Sequence, residues 1–335
     1  MAINNWYVKR VGQSLFTVWA VITLTFFLVR ALPGGPMAYL RAQLALSGDM
    51  DQEEVGRLIE QYISFRPDKP LWEQYVGYLT SIVQGDMGES IFYNEPVSAF
   101  LAEVLPWTIF YASIAVVLLY VLAIVTGAVM AYFEGGKFDL VTTIVLMTFN
   151  SVPYYAVALF GIYILAFKMG LFPTGGQMPS GVTVGLNADF IIGVMYHATL
   201  PILSFVISLL GGLTLAMRGN SVSVLGDDYL RVARLRGLSE QRIAIRYVAR
   251  NAVLPMYTRL MISLGYIFGG SIVLETIFRY PGAGFYMLKA IEARDSPLMM
   301  GAFILITMGV VIGVFLADIT YGLLDPRAGG EADEL

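Results

Sequence analysis

Between two of the most apolar stretches of the chain, residues 227–255 read "DDYLRVARLRGLSEQRIAIRYVARNAVLP", a segment with six arginines and three acids. Asp227 or Asp228 is placed to cap a first helix, and Gly237 to end it, because glycine takes the left-handed C′ conformation cheaply. Ser239 is placed to cap a second helix, with Glu240 in its first turn and Arg242, Arg246 and Arg250 at i, i+4, i+8 in one stripe. Ala233, Leu235, Leu238, Ile243 and Val248 add apolar surface for a shallow contact. The expected unit is a helix-turn-helix lying along a membrane with a knob at Gly237. Such a stripe can bind anionic headgroups at about 1 kcal/mol per charge, can act only to hold its side of the membrane, or can dock a partner. The apolar knob is what a lipid-binding stripe does not require.

The rest of the chain is a membrane protein by composition. Of 335 residues, 57% are hydrophobic and 14% charged, against about 25% charged in an ordinary soluble domain. The net charge of −4 averages an acidic exterior with a basic interior and says little about partners. There is no cysteine and one histidine, His197. Disulfides, thiolate metal sites, Cys nucleophiles and multi-histidine metal sites are thereby excluded.

Apolar runs of the roughly 20 residues needed to cross a bilayer fall at about 11–31, 107–132, 139–166, 191–217, 256–277 and 301–324. The first follows Lys9 and Arg10, yet its run is too long for a signal peptide and "RALPGGP" offers no small-x-small cleavage site, so it reads as a retained helix. Six spans put both termini on one side. That side carries Lys9, Arg10, Lys137, Arg218, Arg231, Arg234, Arg236, Arg242, Arg246, Arg250 and Arg327, which by the positive-inside rule makes it cytoplasmic. The long opposite loop, 32–106, is rich in acids such as Asp49, Asp51, Glu53, Glu54 and Glu60.

Within that loop "LWEQYVGYLTSIV" places Trp72, Tyr75, Val76, Leu79, Ile82 and Val83 on one helical face. It is expected to lie on the outer membrane surface, to pack on its own protein, or to dock a partner. The outer segment from Leu171 to Gly185 is either a pore-mouth loop or a connector. The expected organisation is residues 1–106 as a first span plus an extracytoplasmic loop with an amphipathic helix, 107–324 as a five-helix core with a cytoplasmic loop at about 218–255, and 325–335 as a cytoplasmic tail.

Polar and helix-breaking groups at depth mark a candidate pathway. In "FNSVPYY", Asn150, Ser151, Pro153 and Tyr154 sit near the middle of span three, where proline removes a backbone hydrogen bond and a kink follows. The kink either lines a path or serves packing. His197 in "HATLP" reads as a hydrogen-bonded structural histidine or a proton relay, and Asp318 in span six as the partner of a polar group or a carrier of transport charge. "GYIFGGS" in span five offers small residues for close helix packing. No phosphate cradle is present: "EGGKF" lacks both the earlier glycine and the hydroxyl after Lys137. Neither H-E-x-x-H nor G-x-S-x-G occurs, so hydrolytic activity has no support and no catalytic residue is assigned.

The basic segment resembles the cytoplasmic loop of binding-protein-dependent ABC transporter permeases of the dipeptide/oligopeptide/nickel class. The general loop pattern is Glu-Ala-Ala, three residues, then Gly. Here Arg231, Val232 and Ala233 precede Gly237, so the last alanine and the glycine match, a departure similar to the peptide class. Tyr247 stands where relatives often have histidine. "RALPGGP", "DKPLWEQY", "GDMGESI", "SVPYY", "FPTGG", "HATLP", "VLETIFRYPGAG" and "YGLLDPRA" extend the resemblance in order along nearly the whole chain.

The resemblance implies an all-α protein of six transmembrane helices with the type I ABC importer permease fold. It further implies a homologous second permease, two cytoplasmic ATPase subunits that use ATP and Mg, and an extracytoplasmic substrate-binding protein. No cofactor or metal is expected on this chain, and lipid but not nucleic acid as a further contact. Arg231, Ala233, Arg234, Gly237, Leu238 and Ser239 would form the ATPase-coupling knob. The expected setting is a prokaryotic inner membrane, and the expected cargo di- or oligopeptides, with oligosaccharides or nickel complexes as alternatives within the class. An ion-coupled secondary transporter using Asp318 and His197 is the rival from another class.

Overall fold

The computed structural model describes residues 2–31, 70–267 and 271–324. All regular elements among them are helices, and the chain divides into two compact units. Unit one comprises residues 1–109, 266–276 and 281–315. It holds α1 (Ala2–Ala31), α2 (Leu71–Val83), the start of α3 (Val97–Tyr132), α10 (Ile272–Ile277), α11 (Ala283–Ala293) and most of α12 (Ser296–Leu324). Unit two comprises 110–265, 277–280 and 316–335. It holds the rest of α3, then α4 (Lys137–Asn150), α5 (Tyr154–Gly161) with a π-helical stretch Ile162–Lys168, and α6 (Ala188–Leu225). It continues with α7 (Asp228–Leu235), α8 (Glu240–Ile243), a π-helical stretch Ala244–Ala249, and α9 (Arg250–Tyr266).

Four helical stretches among the described residues are long and apolar enough to cross a membrane: Val8–Val29, Val97–Tyr132, Ala188–Leu225 and Ser296–Leu316. A fifth candidate is the pair Lys137–Asn150 and Tyr154–Lys168, bent by 86° at its break. The kink expected at Pro153 is therefore a sharp break between two helices. The run expected as span five is also divided. α9 starts at Arg250 and ends at Tyr266, and α10 begins at Ile272 behind Ser271, whose hydroxyl accepts from Leu274 N at 3.2 Å. Thr258, Arg259 and Ser263 dilute the apolar face of α9, and a new capped helix start ends the run. Among the described residues, the stretches long and apolar enough to cross number four, or five with the bent pair. Residues 268–270 of "GYIFGGS", the tail from 325, the acids at 49–60 and the side chain of Asp318 lie outside the described residues.

α3 starts at Val97, ten residues before the expected 107. Its extra turns bury Val97, Phe100, Leu101 and Val104, which recur at three- and four-residue steps, against Ala283, Met287, Ala290, Leu298, Met299 and Ala302. α2 forms as expected, and part of its expected face turns inward, with the buried strip shifted toward Tyr78. Tyr78 is buried and Tyr75, Leu79 and Ile82 pack with it against Ile22 and Phe26 of α1, while Trp72, Val76 and Val83 are exposed. The tyrosines decide this: rings satisfy the apolar seam, with Phe26 5.5 Å from Tyr78 and 5.2 Å from Tyr75, and the Tyr75 hydroxyl bonds Thr23 Oγ1 at 2.6 Å.

Candidate functional site

The basic segment folds as the sequence predicts at its turn. Asp227 precedes α7 in extended conformation, and Asp228 lies in the first turn, favourably at the positive end of the helix. At the other end Gly237 has φ +73°, Gly237 N donates to Arg234 O at 2.9 Å, and Leu238 N donates to Ala233 O at 3.3 Å. This pair of bonds is a Schellman motif with glycine at C′. Ser239 follows directly, and its carbonyl accepts from Ile243 N at 3.0 Å to open α8. From Glu240 the helix runs through the π-helical stretch into α9, so the second arm of the hairpin is continuous with the helix expected to enter the membrane.

The hairpin has an inner and an outer face. Leu230, Ala233, Ile243 and Val248 are buried together, with Val224, Leu225, Leu238 and Tyr247 packed around them. Because Val224 and Leu225 belong to the end of α6, the hairpin is seated on that helix. Of the expected coupling residues, Arg231, Arg234, Gly237 and Ser239 are exposed, Leu238 is half-buried, and Ala233 faces inward. Ala233 is small because α7 must approach α8 closely, so its place is in the hairpin's own core. The outer face carries Leu235, 81% exposed, as expected for a contact, and adds two residues that the sequence pattern had not assigned to it, Tyr229 and Val232. The i, i+3, i+6 spacing of the three, opposite Leu230 and Ala233, was the available signal. Arg242, Arg246 and Arg250 are exposed along the second arm.

The break between α4 and α5 brings Asn150, Ser151, Pro153 and Tyr154 into one turn, with much of their hydrogen-bonding capacity already engaged. Asn150 Oδ1 accepts from Gly212 N of α6 at 3.1 Å. Ser151 Oγ donates to Met147 O at 2.8 Å. Pro153 has no N–H to leave unpaired and stands at the start of α5, where its carbonyl accepts from Ala156 N and Val157 N. Tyr154 is half-buried beside Phe205, ring centres 6.4 Å apart, and Tyr155 is exposed. The exposed groups at the break are therefore Asn150, Ser151, Pro153 and Tyr155.

α6 is gripped from two sides. A Cβ on Gly127 of α3 would lie 2.6 Å from Thr214 O, and one on Gly211 would lie 2.5 Å from Leu146 O of α4. Glycine at both crossings lets backbone meet backbone. Near its C-terminal end Arg218 grips Asp139 of α4 with a two-pronged contact, Nε to Oδ1 and Nη2 to Oδ2, both 2.7 Å. Gly135 N adds a third bond to Oδ2 at 3.0 Å, and Glu134 lies 3.8 Å from Arg218.

His197 Nδ1 lies 3.1 Å from the carbonyls of both Gly175 and Gly176. Both neighbours are acceptors, so Nδ1 carries the proton and donates to them. Gly176 N in turn donates to Phe278 O at 3.0 Å, and a Cβ on Gly175 would lie 2.5 Å from that oxygen. "FPTGG", "HATLP" and Phe278 thus meet in one knot, and the Nδ1 side of the imidazole is a structural brace. Among the described residues no group of three or more His, Asp or Glu side chains is placed to hold a metal ion.

Four helices long and apolar enough to cross a membrane, with a fifth candidate bent by 86° at its break, define a multi-pass membrane protein. The chain belongs to the family described as the binding-protein-dependent transport system inner membrane component, which matches residues 123–330; its fold is that of the type I importer permeases. It is 31% identical over 322 residues to the oligopeptide transport system permease protein AppB of Bacillus subtilis, covering 96% of this chain and 98% of that one. It is 28% identical over 337 residues to the di/tripeptide transport system permease protein DppB of Pseudomonas aeruginosa, covering 95% and 97%. The dipeptide transport system permease protein DppB of Escherichia coli K12 is 27% identical over 341 residues, again covering 95% and 97%.

Proposed function

We propose that this chain is the permease subunit of an ATP-driven, binding-protein-dependent importer for di- or oligopeptides. It forms half of a translocation pore with a homologous second permease. Two cytoplasmic ATPase subunits hydrolyse ATP with Mg, and an extracytoplasmic binding protein delivers the cargo. Both termini and the hairpin lie on the cytoplasmic side, in keeping with the arginine bias. The observation that carries the reading is similarity to peptide-transport permeases over 96% of this chain and 98% of a relative.

The outer face of the hairpin suits the coupling role. Tyr229, Val232 and Leu235 offer apolar contact, Arg231 and Arg234 flank them, and the Gly237 turn presents bare backbone at the tip. The chain itself supplies no phosphate cradle, so nucleotide chemistry falls to the partners. The break at Ser151–Pro153 is the place where a path can change shape, with Tyr155 and Ser151 toward it.

The test is purification of the chain in mild detergent from its native membrane, followed by mass spectrometry and an ATPase assay. The purified assembly is then reconstituted in vesicles with a mixture of di- to pentapeptides outside. A second permease, ATPase subunits and ATP-dependent peptide accumulation are expected. A chain that purifies alone and shows no ATP-dependent uptake overturns the reading in favour of ion coupling.

A further inference from the structure

The ion pair between Asp139 and Arg218 is held more firmly than a surface contact would be. The Asp139 side chain is 8% exposed and the Arg218 side chain 27%. The guanidinium fork meets both carboxylate oxygens, and Gly135 N holds one of them from the preceding turn. Seven residues after Arg218, α6 ends at Leu225, which with Val224 packs into the hairpin's apolar cluster. The clamp therefore sits about 10 Å along the helix from the hairpin.

α4 is fastened to α6 a second time at its far end, where Gly211 packs on Leu146 O and Gly212 N donates to Asn150 Oδ1. Two directional fastenings, eleven residues apart on α4, prevent it from pivoting on α6. Beyond the break the contact changes character. α5 meets α6 through Tyr154 on Phe205 and through Gly161 against Leu200. Apolar contacts of this kind re-seat with small shear motions, whereas a bidentate ion pair has one geometry.

We propose that Asp139 and Arg218 are positioning residues for transport: their clamp makes α4 follow the hairpin-bearing α6, so that displacement of the hairpin changes the bend at Ser151–Pro153. The inference rests on the functional reading above. Lysine at 218 would keep the charge and lose the fork, and asparagine at 139 would keep the shape and lose the charge.

The experiment uses the complete complex in vesicles and reads peptide accumulated per ATP hydrolysed, for the peptide that the wild type takes up best. Asp139→Asn, Arg218→Gln and Arg218→Lys are each expected to lower that ratio about tenfold, with hydrolysis persisting. The chain has no cysteine, so spin labels on cysteines introduced at the exposed positions Val141 and Arg246 report the spacing of α4 from the hairpin. One narrow distance, constant with and without nucleotide, is expected in the otherwise wild-type chain, and a broadened distribution once Asp139→Asn is added. An unchanged ratio in assembled variants, a proportional fall of uptake and hydrolysis, or a spacing that shifts with nucleotide in the unmodified clamp overturns the inference. A wild-type complex without ATP-dependent uptake instead overturns the functional reading itself.

Discussion

Asp295 and Ser90 lie 205 positions apart in the chain and share a buried hydrogen bond of 2.5 Å. The same carboxylate accepts from Phe92 N at 3.1 Å and from Leu298 N at 3.2 Å, so one side chain pins the turn before α3 and caps α12. Replacing Asp295 with alanine strands these donors in a fully buried site. A loss of about 2–4 kcal/mol is expected, read as a lower thermal midpoint of the detergent-solubilised chain and faster proteolysis near residues 86–96.

Glu275 plays a similar part for α11. It is buried, accepts from Thr108 Oγ1 at 3.1 Å and from Phe285 N at 2.9 Å, and so caps a helix from outside it. Thr108 Oγ1 also accepts from Ala283 N at 2.7 Å. Glu275→Gln places an amide donor where donors already point and is expected to cost about 1–3 kcal/mol. Gly282→Ala, whose Cβ would collide with Thr108 Oγ1 and lie 2.6 Å from Glu275 Oε2, is expected to match it. Thermal melts of both variants check this; a Gly282→Ala chain as stable as wild type would contradict the packing.

At Gly237 a Cβ meets nothing within 4 Å, and the backbone has φ +73°. Gly237→Ala therefore adds backbone strain without a clash, about 1 kcal/mol, and the chain should still insert and assemble. Leu235→Asp leaves the hairpin core untouched yet charges its most exposed apolar residue. It is expected to abolish co-purification of ATPase subunits while the amount of chain in the membrane stays unchanged, measured by quantitative immunoblot of both.

The Tyr93 phenol is pushed up to about 12, first by burial and then by its neighbours Tyr286 and Asp295; burial raises Tyr286 as well. Between about 10 and about 12 the folded chain keeps a proton that the unfolded chain releases. Folding stability therefore falls as pH rises through that window and is unaffected below it. Tyr93→Phe is expected to make stability fall less steeply there, in chemical denaturation followed at several alkaline pH values. Equal slopes for the two chains would contradict the assignment.

The hairpin was legible because its determinants are local. A glycine able to take positive φ, two apolar positions facing a second short helix and arginines every four residues all act within about twenty residues. Pro153 announced a departure from straight helix for the same reason. The face that α2 buries was legible only in part: Tyr75, Leu79 and Ile82 do pack inward, but an apolar count favours Trp72 and Val76 over Tyr78. The tyrosine won because Phe26 and Thr23, about fifty residues earlier, receive its neighbour's hydroxyl and both rings. Ala233 was placed on the knob by pattern and in the hairpin core by packing.

What the amino-acid sequence determined by itself was the membrane setting, the family, the hairpin and the place of the break. The membrane setting, the hairpin and the break follow from hydrophobicity or backbone preference over a window shorter than one span, and the family from motifs recurring in order along nearly the whole chain. Only the tertiary structure decided that Asp139 belongs to Arg218, Asp295 to Ser90, Glu275 to Thr108 and Asn150 to the backbone of Gly212. A buried polar group must find its partner wherever the packed helices bring one within about 3 Å; for Asp139 and Asn150 that meeting goes with the close packing of α6 at Gly127 and Gly211, and in no case is it set by distance along the chain.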